Sequence, residues 1–265
     1  MRIVVLTVLL LASVADAQVA VRLGIDPLPA EFQKAEPAIR SHIVTATEEW
    51  ISHFRTQPCT IDVQFSIRDR PARGSGRSLV STRFDNQKHE GKYLSEEGVA
   101  HKLRTGDDPN GSAPDIEITF EVAYFRTLWF DPDPKKRTAR MPDRSEGKLD
   151  AYTVILHELG HAFGFNGFRN QKTGELPGEF MSMYDRWVEF DGTNFFFHGP
   201  QSMKLYGKPV ALAHTRNNYH HVAENRSDPK LADDLMNGIT FDWSRRYFIS
   251  PLDIAILNDC GLPPK

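Results

Sequence analysis

Only two cysteines, Cys59 and Cys260, occur among 265 residues. A disulfide framework is excluded. What remains is a single bridge in an oxidising compartment, tying the first strand to the C-terminus, or two separate buried thiols. Neither sign of charge is in excess: 32 Lys and Arg stand against 35 Asp and Glu, a formal net charge of −3. Nothing in that balance points to a nucleic-acid or anionic-membrane partner. Beyond the N-terminus no run is apolar enough to cross a bilayer, so no membrane span is expected. Internal repeats and low-complexity tracts are lacking as well. A chain of this length can bury a large core as one domain or two subdomains.

The N-terminus is strongly biased. Met1 and Arg2 are followed by an apolar run from Ile3 to Leu11 and an A-x-A end at Ala15–Ala17. This order predicts a secretory signal peptide over 1–17, with Gln18 as mature start and an extracellular or periplasmic location. Pro37 to Phe54 then reads as a helix, with Ile39, Ile43, Ala46, Trp50 and Phe54 at three- and four-residue steps. Thr60–Ile67 alternates as a strand, and Arg68–Arg77, basic and glycine-containing, reads as a solvated loop. Ser78–Phe84 reads as a short strand and Tyr93–Leu103 as a helix. Asp115–Glu121 alternates again, and its place shortly before the histidine helix suits a sheet edge beside a cleft. Asp131 and Asp133 lie in a loop at a spacing that permits calcium but carries little specificity. Aromatic clusters such as Phe195–Phe197 read as packing for a second subdomain. Ser250, Pro251 and Asp253 form an N-cap signature for a last helix that ends at Gly261. Asn110 and Asn225 open glycosylation sequons.

One stretch carries chemistry. His157, Glu158 and His161 form H-E-x-x-H within an apolar run from Leu149 to Phe165. Histidines four apart share one helix face and can hold one zinc ion. The neighbouring Glu158 is placed to act as general base. Gly164 follows where a helix ends in glycine, which extends the pattern to H-E-x-x-H-x-x-G. The third histidine of that longer pattern would fall at position 167, which is glycine.

Three further features accompany the motif: a long insertion with late histidines, Leu235-Met236, and the closing segment Ile249–Gly261. With them, the stretch from Leu149 onward resembles leishmanolysin-type metzincins and their secreted bacterial relatives. That resemblance implies an α+β metzincin-like zincin: an N-terminal twisted mixed sheet with two long helices over 18–167, and an irregular C-terminal subdomain over 168–265. Zinc would lie in the cleft between them. It also implies a displaced third ligand and a methionine turn at Met236 beneath the metal. His221, followed by Val222, fits the ligand position best, with His220 and His214 as alternatives. The chain departs from leishmanolysin in being shorter and cysteine-poor, and it has no recognisable latency segment.

The expected function is a secreted zinc metalloendopeptidase acting on protein or peptide substrates. His157, His161 and His221 would bind Zn²⁺, with Glu158 as general base. The rival readings are a zinc-containing binding protein without activity and a zinc hydrolase of non-peptide amides or esters.

Overall fold

Ile39, Ile43, Ala46 and Trp50 are fully buried on one face of the first long helix, and Pro37 sits in its first turn, where a missing N–H costs nothing. The computed structural model describes residues 19–69, 73–214, 219–223, 228, 231, 233–238 and 241–265, with the backbone alone of 83–86. The segment read as a signal peptide and the Asn225 sequon lie outside the described residues. In chain order the first elements are β1 (Val19–Ile25), α1 (Glu36–Ser52), β2 (Cys59–Arg68), β3 (Gly74–Ser78), β4 (Ser81–His89), β5 (Lys92–Glu97), α2 (Gly98–Thr105), β6 (Ile116–Glu121) and α3 (Val122–Phe125). They are followed by β7 (Leu128–Trp129), β8 (Leu149–Asp150), α4 (Ala151–Phe163), β9 (Phe180–Ser182), β10 (Val188–Phe190), β11 (Phe195–Phe197), α5 (Pro200–Tyr206), β12 (Val210–Ala211) and α6 (Pro251–Asp259).

The described residues form an α+β fold. Strands β1, β2 and β6 run parallel, and β3 joins β6 antiparallel, giving one mixed sheet in the order β1-β2-β6-β3. Helices α1 and α4 pack on each other and on this sheet. In their seam Trp50 Nε1 donates to the Leu156 carbonyl at 2.9 Å. The chain after α4 is mostly irregular, with a small antiparallel sheet β10-β11-β12 and α5 packed on α6. One apolar core runs through both parts, from Phe32 to Leu262. No helix among the described residues is long and apolar enough to cross a membrane.

Several expectations need correction. The supposed solvated loop 68–77 contains most of β3, the antiparallel edge strand. Its Gly-Ser-Gly-Arg-Ser sequence holds no apolar residue, so no alternation could announce it. With β3 at the edge, β6 lies inside the sheet rather than on its rim. The helix expected over 93–103 divides: its first part is β5, paired to β4 on one side and to β9 on the other, and α2 begins only at Gly98. The short strand expected over 78–84 is displaced into β4. Of the two readings open for the cysteines, the structure has the separate thiols, Cys59 half-buried and Cys260 buried. The C-terminus is tied down instead by hydrogen bonds, with Arg55 N–H donating to the Pro263 carbonyl at 2.9 Å and Arg55 Nε to the Pro264 carbonyl at 2.8 Å. Asp131 is engaged by the Arg246 guanidinium at 2.8 Å and by the Asp133 N–H at 2.9 Å. The terminal helix is capped as read, by Ser250 and Asp253.

Glu97, at the end of β5, is buried and accepts a hydrogen bond from Asn166 Nδ2 at 3.0 Å. Burial pushes its pKa up to about 8, against the downward pull of Asn166. The folded state therefore keeps a proton that the unfolded chain releases near pH ~4.3. Stability from this group is complete in acid and is lost as pH rises through the folded value. Glu97→Gln keeps the acceptor and removes the titration. In urea melts it should match the wild type near pH ~5 and exceed it near pH ~9 by on the order of 2 kcal/mol. Equal losses in both proteins would contradict this assignment.

Candidate metal centre

Helix α4 begins at Asp150, whose carboxylate accepts the Thr153 N–H at 3.1 Å. The same carboxylate receives Arg137 Nη2 at 2.7 Å, and that nitrogen also donates to the Tyr247 carbonyl at 3.0 Å. The helix start is thereby joined to the segment after the methionine turn. The apolar face of α4 (Ile155, Leu156, Leu159, Phe163) enters the core, and Gly164 ends the helix at φ 154°.

His157 and His161 project together from the opposite side. His157 Nδ1–H donates to the Leu235 carbonyl at 2.9 Å, and His161 Nδ1–H donates to the Phe165 carbonyl at 2.9 Å. Each bond fixes the tautomer and leaves the Nε2 lone pair free for a metal. Burial, reinforced by the neighbouring His161, lowers the pKa of His157 to about 3, and burial lowers that of His161 too. Both rings are therefore neutral, as ligation requires.

His221 completes the cluster. The Nε2 atoms of His157, His161 and His221 lie 3.2 Å apart in all three pairs. A tetrahedral zinc ion bound at about 2.0–2.1 Å would separate its nitrogens by roughly 3.3 Å. The donor set therefore fits zinc in type and spacing, and in protonation at His157 and His161. Among the described residues it is the one group of three or more potential ligands close enough to share an ion.

How His221 arrives explains Gly167. Buried Asp185 accepts from the Phe168 N–H at 2.7 Å and from the Tyr219 hydroxyl at 2.8 Å. Tyr184 donates to the Tyr219 carbonyl at 2.9 Å. These bonds pin the end of the insertion beside its beginning. The Tyr219 hydroxyl and the Asp185 carboxylate fill the space that a Cβ at position 167 would need. Position 167 is thus glycine because the bridge that delivers the distant histidine passes through it. His220, the nearest alternative ligand, accepts the Gly167 N–H at 3.0 Å and so braces the same junction. His214 lies beside the rings of Phe190 and Phe195, at 6.0 and 5.8 Å, away from the cluster.

Met236 is fully buried beneath the helix. A Cβ at Gly160 would come within 2.6 Å of its Sδ, so the glycine inside the motif is what lets the turn approach. The turn is held by Asp234, which accepts the Met236 N–H at 3.0 Å and the Ser250 hydroxyl at 2.7 Å. Burial raises the pKa of Asp234, and burial with the charge of Asp234 raises that of Asp253 more strongly.

Glu158 is only 9% exposed and faces a cavity of about 180 Å³ that also touches His157 and His221. Strand β3 lies directly on α4 at this point. A Cβ at Gly74 would sit 2.6 Å from Glu158 Oε1, and one at Gly76 would collide with the Glu158 carbonyl. Sequence reading missed β3, Arg73, Tyr124 and Phe241 as parts of this site. Two glycines at i and i+2, marking one bare strand face, were the available signal for β3; nothing singled out the others. Tyr124 has its pKa raised by burial first and by the Glu158 charge second, so its hydroxyl stays protonated. No family model, curated protein or solved structure matches the chain.

Zinc titration of the metal-free protein against a competing chelator checks the ligand set. Alanine at His157, His161 or His221 should abolish the equimolar site, and His214→Ala should leave it intact. His220→Ala should keep the stoichiometry while weakening affinity roughly tenfold, as loss of a bracing group does. Full stoichiometry in His221→Ala would exclude it as a ligand.

Proposed function

We propose that this chain is a secreted zinc-dependent endopeptidase of the metzincin type. The observation that carries the reading is the meeting of three imidazole Nε2 atoms, 3.2 Å apart, with Glu158 lining the cavity that His157 and His221 also touch. The residues after the motif add support: Met236 lies under the helix and a displaced histidine stands in for position 167, as the resemblance implies. The N-terminal leader pattern supports export.

His157, His161 and His221 would hold the ion. Zinc, when bound, supplies Lewis acidity that makes water nucleophilic near neutral pH and polarises the carbonyl under attack. The Glu158 carboxylate accepts the proton that water loses as its oxygen adds to the peptide carbon. It returns that proton to the amine nitrogen as the C–N bond breaks. Tyr124, protonated throughout, offers a hydroxyl donor to the same cavity. Among the described residues no strand pairs with the outer edge of β3, and an extended peptide would pair there by strand addition.

Two experiments bear on this reading. Glu158→Gln should lower cleavage of denatured casein by about 10²–10⁴-fold while zinc binding persists. Chelator should abolish the wild-type activity, and activity unaffected by either would end the peptidase reading. In hydrogen exchange, an uncleaved peptide bound to the Glu158→Gln protein should protect amides in 74–78 and leave those of the opposite edge, 19–25, unchanged. No protection in 74–78 would remove β3 as the substrate rail.

A further inference from the structure

Arg73 lies on the cavity that Glu158 faces, and it is the one cation among the described residues that line it. It stands one residue before β3, at the end of the proposed substrate rail, with its guanidinium 6.0 Å from the centre of the Tyr124 ring. Among the described residues no carboxylate forms an ion pair with it. Arg77, four residues along the same strand, contrasts with it, since its guanidinium pairs with Glu117 at 2.6 Å on the neighbouring strand. The rest of the lining carries little negative charge. Val154, Tyr124 and Phe241 are apolar or aromatic, and Glu158 is the sole acid among the described lining residues.

We infer that Arg73 selects a substrate carboxylate in the subsite beside Glu158. This rests on the peptidase reading above and names the substrate class it favours. The tyrosine ring limits where the guanidinium swings, and the side chain lines the cleft. A guanidinium is matched in shape and charge to a carboxylate. Because Arg73 is exposed, the selection is modest and sensitive to salt. The carboxylate has two sources: an Asp or Glu side chain in the peptide, or the peptide's own C-terminus.

Matched peptides test this. One series carries Glu, Gln or Lys at each position flanking the cleaved bond, and each peptide is made with a free and with an amidated C-terminus. The wild type should favour the carboxylate-bearing member about fivefold in kcat/KM at low salt, a ratio that shrinks toward one near ~0.5 M salt. Arg73→Gln should erase the ratio and Arg73→Glu should shift it toward Lys, while Arg77→Gln should leave it in place. A preference that survives amidation assigns the side chain, and one that amidation removes assigns the C-terminus. A wild-type ratio of one, or a ratio indifferent to Arg73, overturns the inference. Dissociation constants of the same peptides for the Glu158→Gln protein, by fluorescence anisotropy, separate this result from failure of the peptidase reading. Binding that favours the carboxylate and depends on Arg73 upholds the inference even if nothing is cleaved. Binding without that preference, or no binding at all, overturns it.

Discussion

The hydrogen bond from His157 Nδ1 to the Leu235 carbonyl is the constraint on which the centre depends. An imidazole has two nitrogens, and engaging one with a backbone carbonyl decides what the other presents. The same bond fastens the methionine turn to the helix, which sets Met236 against Gly160. It also fixes where Val222 can pair, because the Val222 N–H donates to the Met236 carbonyl at 2.9 Å, one residue from His221. Ligand orientation, the floor of the site and delivery of the third histidine are thus linked through one short segment.

The C-terminal part has little regular structure to hold it, and its cohesion comes from buried polar groups. Asp185 gathers the two ends of the insertion, Asp234 holds the turn, and Arg137 joins the start of α4 to the segment at Tyr247. Such groups specify one arrangement because any other leaves a buried charge without partners. They also lie outside what apolar periodicity can report.

That difference explains what could be read in advance. The helix around His157, the strands near Val63 and Ile118, and the cap at Ser250 were legible because apolar spacing or capping chemistry writes them locally. Strand β3 was not, since its glycines exist to let a backbone pass over a helix that is distant in sequence. β5 was misread because the pairing with β4 and β9 that satisfies its backbone is tertiary. The site divided in the same way. His157, Glu158 and His161 follow from spacing alone, whereas the choice of His221 over His220 depends on which ring braces Gly167. Arg73 and Tyr124 had no local signature.

The bare face of β3 has one more consequence. A β-ladder repeats every two residues, so a peptide shifted by two along the strand regains equivalent backbone hydrogen bonds. With glycine at 74 and 76, the strand offers no side chain at those two positions to distinguish one such register from the next. As the proposed substrate rail, β3 would therefore be translationally degenerate. It would fix the direction and extension of a bound chain, and the bond brought opposite Glu158 would be chosen by contacts at its ends.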